Sequence, residues 1–298
     1  MISIIIPLFN KEKEIISTLE SVFRQSVDDY EIVMVDDGST DDSVKTVREF
    51  TDDKRLRIVS QKNSGVGAAR NEGIRNARYD LIAFIDADDL WHPEYLETQL
   101  GLADKFPEAG LFATEYEMLG TDGKSSPAKI NEALLGFDGV EGIIKDYFHI
   151  ASNSNPPLWT SAVMVRKESL LNVGGFPEGV KSGEDLLTWA RLAYANKIAY
   201  SKRRLATYVL GHSIPRPPEE RDVVGDELEK LYKSNPGHKS MRRYIALWCR
   251  MRMSRCLAVR MYGKSLNALF KAMRYHPLDL GLYHAFLKFF VFGIKNKN

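Results

Sequence analysis

The stretch "IDADD", residues 85 to 89, sets Asp86, Asp88 and Asp89 directly behind the apolar run Leu81-Ile82-Ala83-Phe84. Aspartates are poor strand formers and repel one another when crowded. A cluster of them at the end of a buried strand therefore needs something to offset the repulsion. A hard divalent cation, Mg2+ or Mn2+, would do so. Magnesium typically takes one or two carboxylates and lets substrate phosphates fill other positions. A metal held by Asp88, with Asp86 nearby, would create a diphosphate site. The same acids could instead rest against an arginine or a helix N-terminus with no metal.

Three further stretches carry polar residues of interest. "VDDGSTDD" contains Asp36 and Asp37 and by itself reads as an acidic turn. "NSGVGAARNEGI", residues 63 to 74, opens with Asn63, has Gly65 and Gly67 for close backbone approach, and brings Arg70 within the next turn. A loop entering a helix presents N–H groups suited to phosphate; plain helix entry, with Arg70 in a surface ion pair, is the alternative. No Gly-Lys-Ser/Thr ending follows, so this is not a Walker motif. A dinucleotide fingerprint is absent too, because the turn after the first strand is Pro7-Leu8-Phe9-Asn10. The pair Glu184-Asp185 precedes a helix carrying Leu187, Ala190, Leu192 and Ala193. Paired acids in that position often serve only the helix dipole.

The elements that must position these residues follow from periodicity. Ser3 to Ile6, Glu31 to Val35, Leu56 to Val59 and Leu81 to Ile85 read as buried strands. Between them, Ile15, Leu19, Val22 and Phe23 share a helical face. Val44 and Val47 do the same after the cap-like Ser39-Thr40-Asp41-Asp42. A third helix is expected over Gly67 to Ala77, and Pro93 suits the first turn of a fourth. Strands alternating with helices predict a parallel sheet with crossover helices. Ligands of such sheets bind outside the carboxyl ends of the strands, which is where Pro7 to Asn10, Asp36 to Gly38 and Asp86 to Asp89 fall.

Composition bounds the class. With 298 residues, 44% hydrophobic and 27% charged, the chain has the make-up of a soluble globular protein of one or two domains. Cys249 and Cys256 have neither zinc nor disulfide-framework spacing and read as core thiols of a reducing compartment. The N-terminus enters a strand pattern with no signal-peptide n-region. The apolar stretch Leu280 to Ile294 is broken by His284 and Lys288 and is too short to span a bilayer. A cytoplasmic location is expected. The net charge of +1 conceals a division: residues 238 to 298 carry thirteen Lys and Arg against Asp279 alone, a net of +12. The other 28 bases and 39 acids leave −11 for residues 1 to 237. Either the basic end meets an anionic surface, or it is a solvated helical face or an internal match to the acidic body.

Taken in order, "SIIIPLFNKEKEI", "EIVMVDDGSTDDS", "NSGVGAARNEGI" and "LIAFIDADDLWHPEYLE" resemble the nucleotide-sugar half of family 2 glycosyltransferases with the GT-A fold. "VGGFPEGVKSGEDLLTWARLA" is similar to the acceptor-side segment with its Glu-Asp pair, so the resemblance covers about residues 2 to 212. It implies an α/β GT-A fold, a Rossmann-like, mostly parallel sheet with flanking helices. The catalytic domain would span 1–212, with a nucleotide-sugar half at 1–115 and an acceptor half at 116–212. A basic helical extension would follow at 213–298.

The resemblance further implies inverting transfer from a nucleotide-diphospho-sugar, a UDP-sugar foremost, to a hydroxyl of a saccharide or lipid-linked acceptor. Phe9 would pack on the base beside Pro7, Asp37 would accept a base N–H, and Asp36 would support the loop or ribose. Asn63, Gly65 and Arg70 would lie near base and diphosphate. Asp88 would hold Mn2+ or Mg2+ with Asp86 toward the ribose, and Asp89 would share either task. Asp185 would be the general base, oriented by Glu184, with Gly174-Gly175-Phe176 and Trp189 about the acceptor pocket. His212 would give a third metal or diphosphate contact. Rival readings are a polyprenyl-phosphate sugar transferase and a sugar-nucleotide-binding module without catalysis. No nucleic-acid partner is expected.

Beyond residue 212, "IPRPPEE" has the proline density of a linker. Two helical stripes follow, Ile245, Trp248, Cys249 and Cys256 with Arg252 intruding, and Leu266, Leu269, Phe270 and Met273 ending at "HPLD". They would pack on the catalytic domain, on a second subunit of a homo-oligomer, or on the anionic inner face of the cell membrane as a peripheral anchor.

Overall fold

The computed structural model describes residues 1–211, 219–234, 236–278 and 281–282. The chain runs β1 (Ile2–Leu8), α1 (Ile15–Phe23), β2 (Tyr30–Asp36), α2 (Ser43–Phe50), β3 (Leu56–Ser60), α3 (Val66–Asn76), β4 (Leu81–Phe84), β5 (Leu90–Trp91) and α4 (Tyr95–Lys105). It continues through β6 (Ala109–Leu119), β7 (Ser125–Pro127), β8 (Glu141–Ile143), α5 (Tyr147–Asn153), β9 (Val163–Arg166), α6 (Lys167–Asn172), α7 (Glu184–Ala195) and β10 (Lys197–Val209). Among the described residues α8 (Val223–Ser234), α9 (Lys239–Ala258) and α10 (Tyr262–Tyr275) follow.

One sheet has the order β3-β2-β1-β4-β9-β6-β10-β5. Its first four strands are parallel, and β1 and β2 are buried along their whole length, which accounts for their unbroken apolar patterns. β9 enters antiparallel between β4 and β6, and the long β10 then runs parallel to β6. The other antiparallel pairings are short. β6 runs through the 115/116 division, so the two expected halves share one sheet. β1, β2 and β4 end at Leu8, Asp36 and Phe84, and the loops that follow form one rim.

The C-terminal helices are part of the core. α9 buries Met241, Tyr244, Ile245, Trp248, Cys249 and Met253 in one apolar cluster with Tyr147, Leu187 and Trp189, and buries Cys256 as well. Of the two stripes, that of α9 meets the preceding part of the chain, while α10 packs on α9. Arg252 donates to the Glu219 carbonyl and lies 3.6 Å from Asp222, so it does not intrude unpaired. Both cysteines are free and buried, and burial pushes the Cys249 thiol up to about 12. The face turned outward carries Phe270, 65% exposed, with Arg242, Arg243 and Arg274 exposed. Among the described residues no helix is long and apolar enough to cross a membrane. His212 and most of the proline-rich segment lie outside the described residues.

The rim depends on α3 lying hard against β1. A Cβ added at Gly73 would meet Ile5 Cγ2 at 2.4 Å, and a β-branched strand residue has little rotamer freedom to yield. Gly101, on the exposed side of α4, faces nothing within 4 Å. Gly73→Ala should therefore lower the melting temperature, since overpacking costs about 1–3 kcal/mol. Gly101→Ala should raise it, by the ~0.5–1 kcal/mol a helix gains on replacing glycine. Thermal melts of the two variants check both signs.

Candidate active site

The rim loops are stitched together before they meet any ligand. Asp37 N donates to the Leu8 carbonyl at 2.8 Å. Asn10, at φ 52°, exchanges side-chain hydrogen bonds with Thr40, and Lys11 N donates to Ser43 Oγ. Asp36 Oδ1 accepts the Ser39 N–H and shapes the turn. Asp37, 3% exposed, accepts Gln61 Nε2 and Ser64 N on Oδ1 and Gly65 N on Oδ2. The Ser64 and Gly65 amides, expected to be offered to phosphate, are thus committed to a carboxylate. The loop ahead of α3 is held from within.

A cleft of about 780 Å³ opens on this rim. Of the residues expected at the site, Pro7, Phe9, Asp37, Asn63, Gly65, Arg70, Asp86, Asp88, Glu184 and Asp185 line it, whereas Asp36 and Asp89 do not. Phe9 is 44% exposed, so its ring is free for a ligand and is not a core aromatic. Asp89 departs from expectation. It is 1% exposed, accepts Ser161 Oγ and Val209 N, and is turned inward as a clamp on β10; burial pushes its carboxyl well up.

Arg70 joins the two sides of the cleft. Its Nη2 donates to Asp86 Oδ1 at 2.8 Å and its Nη1 to Glu184 Oε1 at 3.1 Å, with only 4% of the side chain exposed. The guanidinium carbon sits 5.2 Å from the Phe176 ring centroid. Asn71, the next residue of α3, accepts Phe176 N–H and donates to its carbonyl, which pins the Gly174-Gly175-Phe176 bend beneath Arg70. Burial works against the charge on Arg70, but Asp86, Glu184 and Asp185 outweigh it and its pKa is raised. Glu184 is pushed up to about 7, by burial first and then by the charge of Asp185, with Arg70 opposing. Asp185 is partly exposed, and its Oδ1 accepts the Leu186 N–H of α7.

Lys11, which sequence reasoning passed over, pairs with Asp88 at 2.5 Å. Partial burial would lower its pKa, but the hydrogen bond and charge of Asp88 prevail and raise it. The signal was available, since Lys11 follows Phe9 by two residues on the ligand edge. Lys181 also lines the cleft, giving Lys11, Arg70 and Lys181 against five carboxylates. With all of them ionised the lining is net negative, a poor host for a diphosphate without another cation. Among the described residues no three His, Cys, Asp or Glu side chains converge as a ready metal centre. Asp88, 28% exposed with one ion pair, fits instead a magnesium-like ion whose other ligands are phosphate oxygens.

A second cavity of about 570 Å³ adjoins the cleft and shares Val66, Lys181, Glu184 and Asp185 with it. Trp189 lines it together with Trp159 and a wall of α9. A Cβ at Gly183, φ 86°, would strike the Trp248 ring at 2.6 Å, so α9 is seated directly on the entry to α7. No sequence signal marks that contact, because it is made only by tertiary packing.

The chain matches the profile described as glycosyl transferase family 2 over residues 3–169. It is 34% identical over 208 residues to an uncharacterized glycosyltransferase of Rickettsia felis, an alignment covering 69% of this chain and 32% of the relative. It is 38% identical over 122 residues to the putative glycosyltransferase EpsH of Bacillus subtilis, covering 40% of this chain and 36% of that protein. The chain thus spans about a third of the length of these relatives. Among solved structures, residues 1–349 of S. aureus TarS superpose with a TM-score of 0.68 at 20% identity, covering 93% of this chain and 81% of that one. The GT-A likeness is therefore one of fold.

The raised pKa of Glu184 has a stability signature. Between its ordinary 4.5 and about 7, the folded chain holds a proton that the unfolded chain has released. Its contribution to stability therefore falls as pH rises through that window. Glu184→Gln removes this dependence, so the melting temperature of the variant relative to the parent should climb from pH 5 to pH 8. A difference that stays flat across that range contradicts the assignment.

Proposed function

The chain belongs to glycosyl transferase family 2, and from that premise we propose that it moves a sugar from a nucleotide-diphospho-sugar to an acceptor hydroxyl with inversion at the anomeric carbon. What carries the reading is that one cleft holds Asp86, Asp88 and Asp185, with Arg70 bridging Asp86 on the loop after β4 and Glu184 at the start of α7. S. aureus TarS has been solved with UDP-GlcNAc, and a UDP-sugar is the donor class we assign here. The acceptor is a saccharide, free or lipid-linked.

Each residue then has a task its surroundings permit. Phe9 offers an exposed ring to the base. Asp37 has three donors on its two oxygens, and a carboxylate has about four lone-pair sites, so one remains for a base N–H. Lys11 and Arg70 face the diphosphate as the bond from C1 to its oxygen breaks, and the electron pair leaves with the nucleoside diphosphate. Asp185 takes the proton of the attacking hydroxyl as the new C1–O bond forms. Glu184, tied to Arg70, fixes the start of α7 and so positions Asp185. A Mn2+ or Mg2+ ion bound at Asp88, with Asp86 beside it, would supply electrostatic stabilisation to the leaving diphosphate. Lys11 would exchange Asp88 for phosphate oxygens when the donor arrives.

Two variants test this. Asp185→Asn keeps size but cannot accept the proton; turnover should drop by a factor on the order of 10²–10⁴ while UDP affinity changes little. A fall of less than tenfold moves the base to Glu184, or favours a phosphate acceptor that needs no strong base. Asp88→Ala should abolish the manganese-dependent part of UDP affinity in calorimetry, with the melting temperature nearly kept because the side chain lies on a strand-end loop. Equal enhancement by manganese in variant and parent refutes the metal assignment.

A further inference from the structure

The second cavity is built largely by the part of the chain that lies beyond the family match. α9 supplies Tyr244, Trp248, Met251 and Arg255, while Trp159 and Trp189 close the opposite side. Three of the chain's four tryptophans line this one space. Trp248 Nε1 donates to Asp222. The Nε1 atoms of Trp159 and Trp189 are shut from solvent and have no acceptor among the described residues. What the three rings offer the cavity is therefore carbon surface, which suits the C–H face of a sugar ring.

Arg255 is the charged group that α9 adds to this lining, which also holds Lys181, Glu184 and Asp185. Its Nη1 donates to Ser182 Oγ at 2.6 Å and its guanidinium lies 5.8 Å from the Trp248 ring centroid. Nearby cations have acidic partners: Arg252 faces Asp222 at 3.6 Å and Arg221 faces Asp226 at 3.5 Å. Among the described residues Arg255 has none, and neither has Lys181 at the junction of cavity and cleft. A guanidinium carries five N–H donors in a fork that matches carboxylate or phosphate. Set beside aromatic carbon and bonded to one hydroxyl, that of Arg255 has most of its donors uncommitted.

We propose that this cavity is the acceptor site, and that it selects a saccharide bearing an acidic group, carboxylate or phosphate. Arg255 holds that group while the rings cover the sugar and the reacting hydroxyl faces Asp185. The proposal deepens the transferase reading and rests on it. The C-terminal helices are, in this account, the specificity element of the enzyme.

Tryptophan fluorescence of the full-length protein tests it with three probes: methyl β-glucuronide, glucose 6-phosphate and methyl β-glucoside. The emission should respond to at least one acidic probe at a tenfold or lower concentration than to the neutral glucoside; which acidic probe prevails separates carboxylate from phosphate. Arg255→Gln should bring that probe to the level of the neutral one, and Arg255→Lys, which keeps the charge but not the fork, should retain part of the preference. Equal responses to acidic and neutral probes overturn the proposal, as does no response to any probe or a preference that survives Arg255→Gln in a folded variant. UDP titrations with manganese on the same samples separate the two readings. If UDP binds and the acidic preference is absent, only the acceptor proposal fails; if UDP does not bind, the transferase reading fails as well.

Discussion

The guanidinium of Arg70 is a full positive charge taken out of water, and the folded chain is arranged around that cost. Desolvating an ion penalises folding by several kcal/mol, and only close opposite charges with good geometry offset it. Asp86 and Glu184 do so from opposite sides, while Phe176 closes the face below. The consequence is mechanical. The loop after β4, the start of α7 and the bend at 174–176 belong to distant parts of the sequence, yet none can move without exposing or stranding a charge. Beneath them Phe84, Phe176 and Trp189 meet edge to face, with centroids 5.3 to 6.1 Å apart, so apolar packing fixes the same three elements that the ion pairs join.

From this follows a division of labour among the carboxylates. Asp36, Asp37 and Asp89 are engaged by the protein's own donors and shape loops. Glu184 is held by Arg70, whose charge opposes the upward push that burial and Asp185 give its carboxyl. Asp86, Asp88 and Asp185 are left partly exposed, the first two on the loop after β4 and the third at the start of α7. The net negative lining disfavours an anionic ligand by itself, which is why the proposed donor site includes a divalent cation and why Lys11, already on Asp88, is well placed to turn to a phosphate.

Much of the fold was legible in the sequence because it rests on local pattern. The apolar runs of β1, β2 and β4 and the helical faces between them predict a parallel sheet, and the ligand-edge rule then points to the loops carrying Phe9, Asp37 and Asp86. The antiparallel entry of β9 leaves no such trace, since a short apolar run does not record its direction. Side-chain commitment was equally hidden. Nothing in "DDG" or "DADD" says that Asp37 clamps the 64–65 amides or that Asp89 points inward, because both depend on donors from elements far along the chain. The stripe on α9 was visible as apolar periodicity, but what it packs on is decided by Gly183, Leu187 and Trp189. For that reason its place beside Asp185 could not be read in advance.

If Arg70 is the hub, Asp86 and Glu184 must feel each other through it although they do not touch. A double-mutant cycle of Asp86→Asn and Glu184→Gln, followed by denaturant unfolding at pH 8, measures this directly. Either single change leaves Arg70 one carboxylate, whereas both together strand a buried charge. The account predicts that the double variant loses more stability than the two single losses added, by about 0.5–3 kcal/mol. Losses that add to within ~0.3–0.5 kcal/mol would contradict it.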